Sequence, residues 1–378
     1  MYGIPSNLMH SKVRLQMLSV RVHRISAIIF EALKRFFRRY HFLILLLTAL
    51  FILWGEVKNI YYWSKLKSLD EFQYPQYGDM YKYLEEYHAQ SALNWSSADN
   101  VSRPINFLQY TLTNFDESIH GSKNDYHIIN IVKSQVDNVK NRDMIRKTWA
   151  NSKCTFNKVA KVRTFFLMGE MPENQRDKDK MLIEEAQKYK DILRYSLVDS
   201  YYNNTYKFMV ALDLIGDKYP GSKFLIVTDD DYFIHPPNLY EYLESIHPAR
   251  YPFYVGGSVW YNAQPLRGVD EKWRISLDDY PFSHFPDYPT GGNLIISTPM
   301  ARSLAIGMQY VKYMDFDDVL LGIVLFKLGV APDNIRSMCK SREQCDPNRV
   351  DKVISSHGFR DPNELHIEWD LHRFYEFC

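Results

Sequence analysis

Three carboxylates stand side by side in "FLIVTDDDYFIHPP", where Asp229, Asp230 and Asp231 follow the apolar run at residues 224–228. Two like charges 4 Å apart repel by about 1 kcal/mol in water and about 4 kcal/mol near a protein surface. Such a cluster is therefore either solvated or neutralised. In extended chain, side chains alternate, which turns Asp229 and Asp231 one way and Asp230 the other. Two carboxylates on one face are hard oxygen donors suited to Mg²⁺ or Mn²⁺, ions that keep positions open for substrate phosphates. A solvated turn ahead of "PPNLYEYLES" is the alternative. A second acidic pair, Asp317 and Asp318, opens "DFDDVLLGIVLFKLG". In the first turn of a helix, carboxylates are favoured by the dipole, and there one can take a proton from an attacking hydroxyl.

The elements that must position these groups are legible from residue 126 onward. "YHIINIVKSQ", "VRTFFLMGE" and "KFLIVT" read as buried strands. "NRDMIRKTWAN", "ENQRDKDKMLIEEAQKYK" and "TYKFMVALDLIGDKY" read as the helices between them, the last with apolar residues at helical spacing. Strands alternating with helices predict an α/β fold with a mostly parallel sheet, whose ligand crevice lies beyond the C-terminal strand ends. Asp229–Asp231 stand at such an end. "GGSVWYNAQPLR" is expected to be a mobile loop beside the crevice, with Trp260 or Tyr261 placed to stack on a ring of the ligand.

The N-terminal part has another character. Residues 1–40 carry many Lys and Arg against one acid, Glu31, and lead into the uncharged "FLILLLTALFILW". A span needs roughly 20 residues; basic residues before the run and Trp54, Tyr61, Tyr62 and Trp63 after it extend this one into both interfaces. The expected organisation is a cytosolic tail at 1–41, a signal-anchor transmembrane helix at 42–63, a lumenal stem at 64–120 and a catalytic domain at 121–378. Asn94, Asn100 and Asn203 head glycosylation sequons, and Cys154, Cys339, Cys345 and Cys378 allow three disulfide pairings. A net charge of +1 excludes the strongly basic surface of a nucleic-acid binder.

Six blocks in order carry a family resemblance. They are "RDMIRKTWAN", "DSYYNNTYK", "TDDDYF", "YPTGGNLIIS", "FDDVLLG" and "SSHGFRDPNELHIEW". Through them the chain resembles the β-1,3-galactosyltransferase family, glycosyltransferase family 31, from about residue 128 to residue 369. The resemblance implies a GT-A-type nucleotide-sugar-binding fold, a UDP-sugar donor (UDP-galactose first, UDP-N-acetylglucosamine or UDP-N-acetylgalactosamine as alternatives), inversion at the anomeric carbon and an acceptor glycan on a glycoprotein or glycolipid. It implies a Golgi membrane location. It also implies Mn²⁺ or Mg²⁺ on Asp229, Asp231 and His357, donor contacts from Arg142, Arg146, Lys207, Asp229 and Asp230, and Asp318 as catalytic base beside Asp317. The chain departs from the family at Pro289-Thr290, where Cys-Ser is usual, at Asn293-Leu294, where an aromatic is usual, and at Asp317, where Glu is usual. A phosphatase with a strand-end D-x-D nucleophile and a non-catalytic sugar-binding relative are the rival readings.

Overall fold

The computed structural model describes residues 7–67, 79–91, 104–106, 108–116, 126–171, 175–200, 203–345 and 352–378. Two compact units divide the chain, Met1–Leu66 and Lys67–Cys378. Among its described residues the first holds one helix, α1 (Asn7–Lys65). No Pro or Gly interrupts residues 7–54, so nothing breaks the helix at the expected boundary between tail and anchor. Its segment Ser26–Lys65 is long and apolar enough to cross a membrane by length and composition.

The second unit is built on a seven-stranded sheet in the order β3-β2-β1-β4-β7-β6-β8. Its strands are β1 (Ile128–Lys133), β2 (Val162–Glu170), β3 (Ile192–Val198), β4 (Phe224–Asp229), β6 (Val255–Trp260), β7 (Tyr288–Ser297) and β8 (Asp333–Asn334). Four of its ladders are parallel, and two, on either side of β7, are antiparallel. The expected α/β fold with a mostly parallel sheet is met. Strand β3 is an addition to the sequence reading. A small sheet, β5-β10-β9, joins β5 (Tyr232–Ile234), β9 (Met338–Cys339) and β10 (Ser355–His357).

Alternation of side chains divides the core between the two faces of the large sheet. Ile131, Val227 and Leu294 pack on one face with Leu212 of α6 (Asn204–Lys218), Leu304 of α8 (Thr298–Gly307) and Leu320 of α9 (Asp317–Lys327). Val132, Ile226 and Ile295 pack on the other with Ile145 of α3 (Val139–Lys147), Leu182 of α5 (Arg176–Tyr189), Leu239 of α7 (Pro236–Ser245) and Leu365 of α10 (Pro362–Leu371). The short helix α4 (Thr155–Val159) follows Cys154. Burial on both faces explains why the central strands read as continuous apolar runs. The disulfides are Cys154–Cys378 and Cys339–Cys345.

Two expectations need correction. The described parts of 64–120 are not a free spacer. In α2 (Met80–Ser91), Met80 and Tyr83 are buried, and the Tyr83 ring stacks on Tyr310 at 4.8 Å. Residues 108–116 cover the edge of β3: Thr113 N donates to Arg194 O at 2.9 Å and Ser196 N to Thr111 O at 3.0 Å. Covering an edge protects its unpaired backbone groups. The Tyr-rich segment escaped the sequence reading because its contacts, not its periodicity, define it. Likewise, "GGSVW" is strand β6, and the connection beyond it is fastened by Arg267, which donates to the carbonyls of Ile275, Ser276, Tyr280 and Phe282.

A test of the corrected boundary is Met80→Ala. Truncating a buried Met costs about 2–5 kcal/mol, so urea unfolding of the second unit will show a clear loss of stability. A spacer would show none.

Candidate active site

The site begins with a lysine that the sequence reading passed over. β1 and β4 run parallel with Lys133 paired in register to Asp229, so both side chains emerge at the C-terminal strand ends on the α9 face. Lys133 Nζ lies 3.1 Å from Asp229 Oδ1 and 2.6 Å from Asp317 Oδ2, and its side chain is 2% exposed. Burial alone would lower the lysine pKa, but Asp229 and Asp317 together raise it well above its ordinary value. Asn204 Nδ2 also donates to Asp317 Oδ2, at 3.2 Å. The clue in the sequence was a lysine ending a largely apolar strand, at the edge where this class of fold binds ligands.

Glycines let the acidic elements close onto β7. A Cβ at Gly291 would stand 2.8 Å from Asp317 Oδ1, and one at Gly292 would stand 2.4 Å from the Tyr232 hydroxyl. Asp318, the next residue of α9, is half-buried and accepts from Val319 N at 2.8 Å and Gly291 N at 3.4 Å. Burial first, then the charge of Asp317, pushes the Asp318 carboxyl up to about 7, against the opposing pull of those N–H groups and Lys133. A carboxyl tuned near neutrality is suited to accepting a proton. Asp229 is pushed up to about 6, by burial and then by Asp317 and Asp231 against Lys133. Because its side chain remains 38% exposed, solvent tempers that shift.

Asp230 turns to the opposite face, as alternation expects. Its carboxylate accepts from Ser134 Oγ at 2.6 Å and Asn138 Nδ2 at 3.0 Å, and it is buried under the loop between β1 and α3. It fastens that loop and does not face the crevice with Asp229. Asp231 meets His357: Nε2 lies 3.1 Å from Asp231 Oδ2, while Nδ1 lies 3.2 Å from the Lys340 carbonyl. The carbonyl only accepts, so Nδ1 carries the proton and Nε2 presents a lone pair to a carboxylate oxygen. Two acceptors facing each other call for a proton or a cation between them. The Asp231 contact raises the His357 pKa, partly offset by burial.

This pair fits a Mg²⁺ or Mn²⁺ ion that takes its other ligands from phosphate and water. Among the described residues no cluster of three His, Cys, Asp or Glu side chains forms a complete cage. Asp229 is engaged by Lys133 and does not join Asp231 and His357 in one.

The three cations expected to hold a donor are committed elsewhere. Arg142 is fully buried, with Nη2 2.6 Å from Glu185 Oε2 and Nη1 2.6 Å from the Gln135 carbonyl. Arg146 pairs with Glu185 at 2.7 Å and Asp191 at 2.7 Å. Burial would raise the Glu185 pKa, and the two guanidinium groups hold it below the usual range. Lys207 is buried and donates to Asp199 Oδ1 at 2.8 Å and to the Ser134 carbonyl at 2.9 Å. Spacing on a helix face showed that the arginines share a direction, and the direction is inward. Of the sequons, Asn94 and Asn100 lie outside the described residues. Asn203 Nδ2 donates to Val198 O at 2.8 Å, and Thr205 Oγ1 is buried against Met314 O at 2.7 Å.

Trp260 and Tyr261, at the end of β6, are exposed; Lys340 Nζ lies 3.4 Å from the Trp260 ring centroid. A cavity of about 780 Å³ lined by Leu108, Tyr110, Ser196 and Asp213 holds none of these groups.

The family described as Galactosyltransferase matches residues 140–336. The chain is 32% identical to "Beta-1,3-galactosyltransferase brn" of Drosophila melanogaster over 64% of this chain and 72% of that protein. It is 31% identical to the human "UDP-GalNAc:beta-1,3-N-acetylgalactosaminyltransferase 1", over 77% and 87% of the two chains. It is also 31% identical to the human "Lactosylceramide 1,3-N-acetyl-beta-D-glucosaminyltransferase", where the match spans 62% of this chain and 63% of the relative.

Arg142→Met distinguishes a brace from a donor grip. Removing one partner of a buried ion pair costs about 3–5 kcal/mol, so urea unfolding will show a large loss of stability. A donor grip would instead leave stability unchanged and weaken UDP binding.

Proposed function

The chain belongs to the galactosyltransferase family, and from that premise we propose that it is an inverting β-1,3-hexosyltransferase moving galactose from UDP-galactose to a hydroxyl of an acceptor glycan. The observation that carries the reading is Asp318. It is a carboxyl pushed up to about 7 at the start of α9, linked through Asp317 and Lys133 to the strand end that leads into Asp231.

Each residue has a distinct task. Asp231 and His357 would hold a divalent ion, Mn²⁺ or Mg²⁺. When bound, that ion supplies Lewis-acid stabilisation to the diphosphate. Lys133 keeps Asp229 and Asp317 together and their charges neutralised, so that donor and base elements sit side by side. Asp318 accepts the acceptor hydroxyl's proton as the new bond from that oxygen to the anomeric carbon forms. The bond from carbon to the UDP oxygen breaks on the opposite face, and UDP leaves with the electron pair. Attack from the face opposite the leaving group inverts the carbon. The exposed Trp260 and Tyr261 offer apolar faces to an acceptor sugar ring.

The setting we infer is the Golgi membrane. The apolar helix within α1 acts as a type II signal anchor, and the unit from Lys67 onward faces the lumen, where disulfides persist. The acceptor is a glycan of a glycoprotein or glycolipid.

Asp318→Asn keeps the shape and removes the proton acceptor. Loss of a general base costs 10²–10⁴-fold in rate, so transfer will nearly vanish while UDP binding by calorimetry is retained. Asp318 must be unprotonated to act, so kcat/KM of the parent enzyme is full above pH about 7 and falls as pH drops through that value. An acid limb unchanged in Asp318→Asn would assign the base elsewhere.

Asp231→Ala is expected to abolish both transfer and metal-dependent UDP binding while leaving the melting temperature nearly unchanged. Transfer by the parent protein that persists in excess EDTA would remove the metal from the reaction. Radiolabelled UDP-galactose, UDP-N-acetylglucosamine and UDP-N-acetylgalactosamine, offered in parallel, identify the donor.

A further inference from the structure

One residue joins the histidine on the small sheet to the tryptophan on the large one. Lys340 follows Cys339, whose strand β9 pairs in parallel with β10 through Cys339 and Ser356. The chain just beyond it is closed into a loop by the disulfide to Cys345. Its carbonyl lies 3.2 Å from His357 Nδ1. Its ammonium reaches across to β6, donating to Val259 O at 3.2 Å and lying 3.4 Å from the Trp260 ring centroid. Backbone, carbonyl and ammonium are thus all fixed, each by a different neighbour.

We propose that Lys340 is the positioning residue for His357, and that the Cys339–Cys345 loop and the Trp260 contact hold it in place. The inference rests on the reading of Asp231 and His357 as the pair that takes the divalent ion. A ligating imidazole must offer a bare nitrogen, and a partner on the other nitrogen selects the tautomer. The Lys340 carbonyl keeps the proton on Nδ1. If that carbonyl swings away, the proton can move to Nε2, which then donates to Asp231 Oδ2 and removes a lone pair from both partners at once. The attraction of a cation to an indole face helps to hold the arrangement. The Cys339–Cys345 disulfide closes a short loop, which contributes less chain entropy than a long one would and fixes the backbone at Lys340 locally.

The test uses the full chain in detergent with two variants, Cys339→Ser/Cys345→Ser and Lys340→Met, and His357→Gln as reference. Mn²⁺ binding in the presence of UDP is read by electron paramagnetic resonance. The His357 tautomer is read with diamagnetic Mg²⁺ and UDP at the concentration that saturates the parent, by ¹⁵N resonances of labelled histidine assigned through their loss in His357→Gln. Both variants are expected to weaken Mn²⁺ binding about tenfold, the lower end for loss of an orienting partner, and to replace the pinned Nδ1–H form by mixed tautomers.

Unchanged binding and tautomer in both variants overturn the proposal, while loss of binding in His357→Gln leaves the metal reading standing. If His357→Gln binds Mn²⁺ like the parent, the metal reading fails. The tautomer then decides alone: mixing in both variants supports positioning, and a pinned form refutes it. An effect confined to the disulfide variant and accompanied by a lower melting temperature also counts against the proposal.

Discussion

The ammonium of Lys133, buried between Asp229 and Asp317, is the interaction on which the arrangement of the site depends. Four carboxylates converge where β4 ends and α9 begins, namely Asp229, Asp231, Asp317 and Asp318. At a few ångströms in a partly buried setting each such pair repels by several kcal/mol. One charge placed among them lets α9 approach β4 closely enough for a glycine, Gly291, to be required on the strand between. It also leaves Asp318, which makes no direct contact with it, as the carboxyl carrying the residual repulsion. The placement comes from register. β1 and β4 pair without offset, and a slip of one residue would turn Lys133 to the opposite face.

The opposite face carries a second network of similar make-up but different use. Arg142, Arg146, Glu185 and Asp191 form a largely buried cluster that ties α3 to α5 and to the start of β3. Asp230 is turned toward the same side by alternation and anchors the loop that leads into α3. Neighbouring carboxylates thus separate by function. Asp229 and Asp231 belong to the crevice, and Asp230 belongs to the brace.

The small sheet gives the site its remaining geometry. β5 begins directly after Asp231 and pairs with β10, which ends at His357 opposite Tyr232. Residues 126 positions apart in sequence therefore come within 3.1 Å through an antiparallel ladder and not through a long flexible loop. Groups carried on strands hold their positions more tightly than groups on loops. The packing of the Tyr232 ring against His357, tilted with centroids 4.8 Å apart, adds to that restraint.

Much was legible in the residues themselves. Apolar runs located β1, β2 and β4, helical spacing located α6, and the order of strands and helices specified an α/β sheet, because these signals arise from contacts each segment makes along its whole length. The acidic strand end and the acidic first turn of α9 were visible for the same reason. What sequence left open was direction and partnership. Arg142, Arg146 and Lys207 are cations of the right type, yet whether a cation faces a ligand or a buried carboxylate depends on which element lies against it. Lys133 gains its meaning only from the strand beside it, His357 only from β5, and the Tyr-rich segment around Met80 only from α8 and Tyr310. The cysteines likewise offered three pairings until folding brought Cys154 to Cys378, because proximity between distant residues is a property of tertiary packing and not of local pattern.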